Sequence, residues 1–228
     1  MYNLLKAEIY KLKHSKELLI CAIVLIILGV IGVYFGKQCG RSSFASQGRE
    51  MLSLMACTLF AITNVGKDLS FKTINHALTS GNIRRMVLMS KYISYIIACI
   101  IILLINYMVM GGLNTIFYGW GEVFNSREGY FIIVYIATGI FFDLCLVSIP
   151  FFICMVVETS SLAITLSAGV MGLILVLSQL PWETVSYTVA SKDSSLGVVP
   201  FIFTVSFMVG TILLYLLCSF YFNKKDIH

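Results

Sequence analysis

Long apolar runs alternate with short polar segments along the whole chain. The runs cover residues 17–36, 51–66, 92–112, 130–157, 162–179 and 198–222. Most of them reach the ~20 residues that a helix needs to cross a bilayer whose hydrocarbon core is about 30 Å thick. The pattern therefore predicts an all-α, polytopic integral membrane protein with six transmembrane helices, organised as one domain over residues 1–228.

The second run, 51–66, differs from the others in length and polarity. It is short for a span, and it contains Thr58, Thr63 and Asn64. Backbone and side-chain polar groups are hard to satisfy in lipid, so a short polar span is better buried among other helices. We expect this helix in the interior of the bundle.

Asp143 is the one charged side chain deep within a run. An isolated charge at that depth costs about 2.5 to 3.5 kcal/mol on insertion scales, so the carboxyl must face protein or water, or be protonated. One interpretation makes it a pathway or gating residue, with Thr63 and Asn64 as further polar candidates. The other makes it a neutral group bonded to Ser167 or Thr165 of the fifth span. The sequence favours neither.

The segments that flank the spans predict further elements. Residues 3–16 form a basic amphipathic helix, with Leu5, Ile9 and Leu12 on one face, that is expected on the inner membrane surface. Gly32 and Gly36 have the spacing of a close helix contact. Residues 37–50 are expected to be a polar loop, and the third span is expected to end at 111–112. The segment 113–129 carries an interfacial aromatic cluster: Phe117, Tyr118, Trp120 and Phe124.

The longest stretch that cannot lie in lipid covers residues 66–91. Phe71, Ile74 and Leu78 recur at helical spacing and form one apolar stripe, and the acid Asp68 lies in the first turn of that predicted helix. Ser80, Gly81 and Asn82 then predict a stop, a turn and a new N-cap, with Arg84 and Arg85 at the start of the third span. The alternative is a solvated loop whose charges only set the orientation of the chain.

Charge predicts the orientation. With the N-terminus inside, eleven basic residues face the cytoplasm and five face outward. Positive residues prefer the cytoplasmic side, so both termini are expected there. The inner residues are Lys6, Lys11, Lys13, Lys16, Lys67, Lys72, Arg84, Arg85, Lys91, Lys224 and Lys225; the outer ones are Lys37, Arg41, Arg49, Arg127 and Lys192. Because topology explains the charge, no nucleic-acid partner is expected.

Composition supports the membrane class and argues against an enzyme. The chain is 59% hydrophobic and 12% charged, against roughly a quarter charged in soluble domains. Neither a phosphate-binding loop nor a zinc-hydrolase motif occurs, so neither nucleotide nor metal binding is expected. Six of the seven cysteines lie in apolar runs and are expected to be small core residues, whereas Cys39 is expected to be exposed.

The 66–91 stretch resembles the first cytoplasmic loop of the permease subunits of ATP-binding cassette (ABC) transporters of type 2. The matching positions are Asp68, Lys72-Thr73-Ile74, Leu78, Gly81, Arg85 and Lys91. Residues 6–16 are similar to that family's basic N-terminal helix, and the spacing of the six spans also agrees.

The resemblance implies a permease of the bacterial cytoplasmic membrane that pairs with a second permease chain and with separate ATPase subunits, which bind ATP and Mg²⁺. The loop 67–91 would then carry a coupling helix that docks on the ATPase. The implied coupling residues are Asp68, Phe71, Lys72, Ile74, Leu78, Arg84 and Arg85. The implied substrates are peptide antibiotics such as lantibiotics or bacitracin, or lipid-like molecules. An ATP-independent carrier or channel, or a membrane sensor, remains the alternative.

Overall fold

The computed structural model of the chain describes residues 2–46, 51–66, 81–121, 126–157, 162–163, 165–173 and 198–224. These residues form helices and no strand, which confirms the all-helical class. The helices are α1 (Tyr2–Lys13), α2 (Lys16–Gly36), α3 (Gly40–Ser46), α4 (Met51–Ala61), α5 (Arg84–Tyr118), α6 (Ser126–Val156) and α7 (Val198–Lys224). Residues 165–173 are helical as well.

Four of the described helices are long and apolar enough to cross a membrane. They are α2, α5, the part of α6 from Ile132 to Val156 and the part of α7 from Thr204 to Tyr221. Large apolar side chains of α2 and α7 stay exposed on the outside of the bundle, as with Ile27 and Leu213. Such surfaces belong in lipid or against another protein, so the chain is a membrane protein. The rest of the fifth predicted span, and residues 180–197, lie outside the described residues.

The short α4 is buried on one face only, so the expectation of a fully interior helix holds in part. Leu54, Cys57, Phe60 and Ala61 are buried, whereas Leu52, Met55 and Leu59 are exposed among the described residues. The helix continues as a π-helix over Ile62–Gly66. The Thr58 hydroxyl donates to the carbonyls of Leu54 and Met55 one turn earlier, so this polar group needs no partner outside the helix.

Helix α5 is longer than the predicted span and does not end at Gly111 and Gly112. Its 35 residues extend about 52 Å, well beyond a hydrocarbon core of about 30 Å. A Cβ at Gly111 would overlap the ring of Phe44, so this glycine allows a close approach of α3 rather than a helix end. The helix stops at Tyr118, followed by Gly119 at φ 75°.

The segment 37–50, predicted to be a polar outer loop, contains the helix α3. This helix packs against the end of α5 and hydrogen-bonds to it. The backbone N–H of Gly40 donates to the Gly119 carbonyl at 2.9 Å, and the Asn114 amide donates to the Ser43 hydroxyl at 3.0 Å. The Trp120 ring packs 5.9 Å from the Phe44 ring. The first part of the aromatic segment is helical, with Phe117 and Tyr118 exposed at the end of α5, and Trp120 contacts α3. Phe124 lies outside the described residues.

Helix α2 packs on α5 through Gly29 and Gly32. Of the predicted pair, Gly32 and Gly36, only Gly32 takes part in this contact. A Cβ at Gly29 would come within 2.7 Å of Val109, whereas one at Gly36 would meet no described atom within 4 Å. Gly29 lies one turn from Leu25 and Val33, which are both buried. The contact face therefore follows the i, i+4 row through Gly29, and Gly36 lies beyond it.

The directions of the helices bring the basic residues of α1, α5 and α7 to one end of the bundle. Tyr92 packs on Phe151 while Tyr95 donates to Val147, so α5 and α6 run antiparallel. Ring pairs between Phe142 and Phe207 and between Phe152 and Tyr221 show that α6 and α7 run parallel. One end of the bundle, here called the basic end, therefore holds α1, the start of α5 and the end of α7. Helix α3 lies at the opposite end.

Candidate functional site

A buried ion pair joins α1 to α5 at the basic end. The Lys91 ammonium lies 2.9 Å from the Glu8 carboxylate, and the two side chains are only 8% and 19% exposed. Glu8 is the one acid in the sequence of α1, and α1 packs along the first turns of α5. Removing one partner of a buried pair leaves a desolvated charge, so this contact ties α1 firmly to α5.

Tyr95, one helical turn after Lys91, connects three helices. Its hydroxyl donates to the Val147 carbonyl of α6 at 2.8 Å and lies 3.5 Å from the Cys57 carbonyl of α4. Its ring stacks nearly parallel to Phe60 and packs 5.2 Å from Phe151. One side chain of α5 thereby fixes the positions of α4 and α6.

Tyr92 makes the corresponding connection to α7. Its hydroxyl lies 3.0 Å from the Ser148 hydroxyl and 3.3 Å from the Thr211 carbonyl, and Ser148 in turn donates to the Leu144 carbonyl. The Tyr92 ring packs 5.0 Å from the Tyr215 ring. Lys91, Tyr92 and Tyr95 therefore link the start of α5 to α1, α4, α6 and α7.

Both tyrosines contact α6 next to Pro150. Pro150 lies inside α6, and because it has no N–H, the Leu146 carbonyl loses its usual helical donor. On the residues that follow, Tyr95 donates to the backbone carbonyl of Val147, and Tyr92 shares a hydrogen bond with the side-chain hydroxyl of Ser148. The site thus combines a missing helical hydrogen bond in α6 with two tyrosines of α5 that hold α6 in place at that position.

Asp143 is buried in α6, about two turns from Pro150 toward the α3 end, with 2% of its surface exposed. It is close enough to the Cys57 thiol of α4 to interact with it electrostatically. Of its two predicted partners, Ser167 is buried and donates to the Ala163 carbonyl, whereas Thr165 is exposed. Ser167 therefore shares the buried environment of Asp143.

The other polar candidates lie in the π-helix. Thr63 and Asn64 are half-buried, and the Thr63 hydroxyl donates to the carbonyls of Leu59 and Phe60 at 3.0 and 3.2 Å. Both residues lie directly after the end of α4, whereas Asp143 lies in α6.

Of the predicted coupling residues, Arg84 and Arg85 are described, and both lie in the first turn of α5. Arg85 is exposed and Arg84 half-buried. The predicted turn is present, with Gly81 at φ 86°, but the N-cap is Ile83 instead of Asn82 because the backbone stays extended for one more residue. The remaining residues lie outside the described residues: Asp68, Phe71, Lys72, Ile74 and Leu78.

Cysteine burial follows the prediction from the apolar runs for four of the six residues. Cys57, Cys99, Cys154 and Cys218 are buried, whereas Cys21 and Cys145 are half-buried, and Cys39 before α3 is half-exposed. The Ser42 hydroxyl, 3.2 Å from the Cys39 sulfur, lowers the pKa of that thiol below its ordinary value. Within the described ranges, no group of three or more His, Cys, Asp or Glu side chains is placed to hold a metal ion.

Sequence reasoning missed the ion pair and the tyrosine contacts. The sequence places Lys91 at the end of the loop 67–91 and gives no partner for Glu8 in the basic helix 3–16. A usable signal existed, because Lys91 and Tyr95 are four residues apart and so share one face of α5. The sequence does not show which residues of other helices these two side chains contact.

Comparison with models of protein families and with curated protein sequences finds no match for the chain. The function proposed below therefore rests on the helix arrangement, on the chemistry of the basic end and on the resemblance of residues 66–91 to an ABC permease loop.

Proposed function

We propose that the chain is the membrane-embedded permease subunit of an ABC exporter, driven by ATP that a separate ATPase subunit hydrolyses. The observation that carries this proposal is the basic end. Eight described basic residues belong to it, against three near the α3 end. The eight are Lys6, Lys11, Lys13, Lys16, Arg84, Arg85, Lys91 and Lys224; the three are Lys37, Arg41 and Arg127. By the positive-inside rule, the basic end faces the cytoplasm.

In this proposal, the chain crosses a bacterial cytoplasmic membrane six times, with both termini inside. The four long apolar helices supply four of these spans. Helix α4, packed by one face on its neighbours, supplies the second span, and residues 162–179 supply the fifth. The loop 67–83 then connects α4 to α5 on the cytoplasmic side, where an ATPase would dock.

The contacts of α5 suggest how a movement of that loop would spread. A displacement at Arg84 and Arg85 is passed along a continuous helix to Lys91 and from there to α1. One turn further on, Tyr92 and Tyr95 carry it to α4, α6 and α7 beside Pro150. Packed elements of this kind shift as units, so docking at one end would rearrange the spans.

The proposed partners follow the same reasoning. A second permease chain, identical or related, would cover part of the exposed apolar surface of α2 or α7. The resemblance implies export of peptide antibiotics such as lantibiotics or bacitracin, or of lipid-like molecules. The chain itself would hydrolyse no ATP.

Copurification tests the proposal. The tagged chain is purified from its native host so that its cassette ATPase partner can copurify. The Ile74→Asp, Leu78→Asp double variant is compared with a matched variant, Thr73→Asp, His76→Asp, on the opposite face of the predicted coupling helix. Burying each apolar side chain contributes about 1.5 to 3 kcal/mol, so the first variant should lose the ATPase and the export it drives. The second variant should retain both.

Two outcomes contradict the proposal. If no cassette ATPase copurifies with the unmodified chain, the subunit assignment is wrong. If the first variant exports normally with its ATPase bound, the apolar stripe is a membrane anchor and not a docking surface.

The burial of Asp143 favours a second candidate function, an ATP-independent carrier that uses this carboxyl to bind a proton or cation. Such a carrier would transport in vesicles without any ATPase, and Asp143→Asn would abolish that transport. An exporter driven by a separate ATPase would be inactive in the same vesicles.

A further inference from the structure

A groove runs between α5 and α7 at the basic end, on the outside of the bundle. It has a volume of about 200 Å³, which is smaller than the about 300–1,000 Å³ of pockets that enclose a drug-sized ligand. The groove therefore accommodates a segment of a long molecule. Its walls are mostly apolar, and they are formed by Met89, Tyr92, Ile93, Thr211, Ile212 and Tyr215.

One polar atom in this groove is left without a partner. The Tyr215 hydroxyl is buried and has no hydrogen-bond acceptor among the described residues. The other hydroxyls of the lining are engaged, since Tyr92 contacts Ser148 and Thr211 donates to the Met208 carbonyl. A buried donor without an acceptor is unfavourable, so the Tyr215 hydroxyl calls for an acceptor from outside the chain.

A cation lies on the same face of α5 as the groove. Arg85 precedes Met89 by four residues, and Met89 precedes Ile93 by four, so the three side chains form one row along the helix. Arg85 is exposed, at the end of this row nearest the cytoplasmic side in the proposed topology. The row thus presents first a positive charge and then an apolar wall.

We infer that this groove binds one anionic phospholipid of the surrounding bilayer. An acyl chain lies against Met89, Ile93 and Ile212, an ester oxygen accepts the hydrogen bond of Tyr215, and the phosphate lies near Arg85. From the basic end inward, Arg85 comes first, Met89 follows, Tyr215 lies at the level of Tyr92, and Ile212 lies about one turn further. Phosphate, ester and acyl chain of such a lipid would therefore meet Arg85, Tyr215 and Ile212 in that order. The inference requires only that α5 and α7 lie in a membrane, so it does not depend on an ATPase partner.

Photo-crosslinking tests the site. The full chain is reconstituted in phosphatidylcholine vesicles that contain a small fraction of phosphatidylglycerol with a photoreactive acyl chain, and the crosslinked peptides are mapped by mass spectrometry. We expect crosslinks at Met89, Ile93 or Ile212 in preference to the exposed Leu213 beside them. Unlabelled phosphatidylglycerol should compete, and additional phosphatidylcholine should compete much less.

Three variants with matched controls identify the groups involved. Tyr215→Phe removes one hydrogen bond and should weaken the apparent affinity about fivefold, whereas Tyr221→Phe on the same helix should not. Ile212→Trp should fill the groove and abolish labelling of α5, whereas Leu213→Trp should leave it unchanged. Arg85→Gln should remove the preference for phosphatidylglycerol. Size-exclusion profiles establish that each variant is folded.

Several results would overturn the inference. Labelling that is spread evenly over the exposed side chains of α7 would indicate ordinary lipid contact. Equal competition by both lipids would exclude an anionic ligand. Disulfide-linked dimers of Ile212→Cys, formed in lipid with the same yield when Tyr215 is Phe, would show that a second copy of the chain covers the groove instead.

Discussion

Reversing the charge of Lys91 should detach α1 from the start of α5. Lys91 and Glu8 are 2.9 Å apart and largely buried, so Lys91→Glu places two carboxylates in a site with little water. Breaking a buried pair costs about 3–5 kcal/mol, whereas an exposed pair contributes about 0–1 kcal/mol. Because Glu8 keeps some exposure, we expect a loss of about 3 kcal/mol.

Thermal unfolding of the purified protein in detergent measures this loss. For a chain of this size, each kcal/mol shifts the Tm by about 2–4 °C, so Lys91→Glu should lower it by about 6–12 °C. Glu8→Lys should have a similar effect. The double exchange, Glu8→Lys with Lys91→Glu, should recover most of the stability. Lys6→Glu, an exposed reversal on α1, is the control and should change the stability by less than ~0.5 kcal/mol.

The double exchange decides between a specific pair and a general effect of charge. If it is as unstable as the sum of the two single variants, the side chains do not interact, and the attachment of α1 to α5 through this pair is refuted. If Lys6→Glu destabilises the protein as much as Lys91→Glu, the effect comes from the total charge of the basic end.

Four further predictions address the rest of the bundle. Tyr95→Phe should lower stability by about 1 kcal/mol, measured by the same unfolding assay, because it removes the hydroxyl that joins α5 to α6. Asp143→Asn should keep a monodisperse size-exclusion profile and Asp143→Lys should not, because an added cation at that depth has no room to reach water. An impermeant maleimide should label Cys39 from outside the cell, and a cysteine that replaces His76 only from inside; labelling of both from one face would contradict the topology. Ser42→Ala should raise the pKa of Cys39, leave less thiolate at pH 7 and slow its labelling.

The sequence alone determined the class of the protein and the approximate positions of its long helices. The predicted spans 17–36 and 198–222 agree with α2 and α7 to within about two residues. Burial of one face of α4 also followed from its shortness and its threonines. These features are local, because the free energy of moving a segment from water into lipid is nearly a sum over its own residues.

Only the tertiary structure decided how the helices meet. Gly111 and Gly112 look like a helix end, yet α5 continues because Gly111 admits the Phe44 ring of α3. Glu8 and Lys91 are 83 positions apart, and neither residue carries information about the other until α1 packs on α5. Hydrophobicity places a helix in the membrane, but it does not determine which other helix it packs against. Contacts between helices depend on shape, small residues and hydrogen bonds across long separations in the chain, and these are set when the bundle packs.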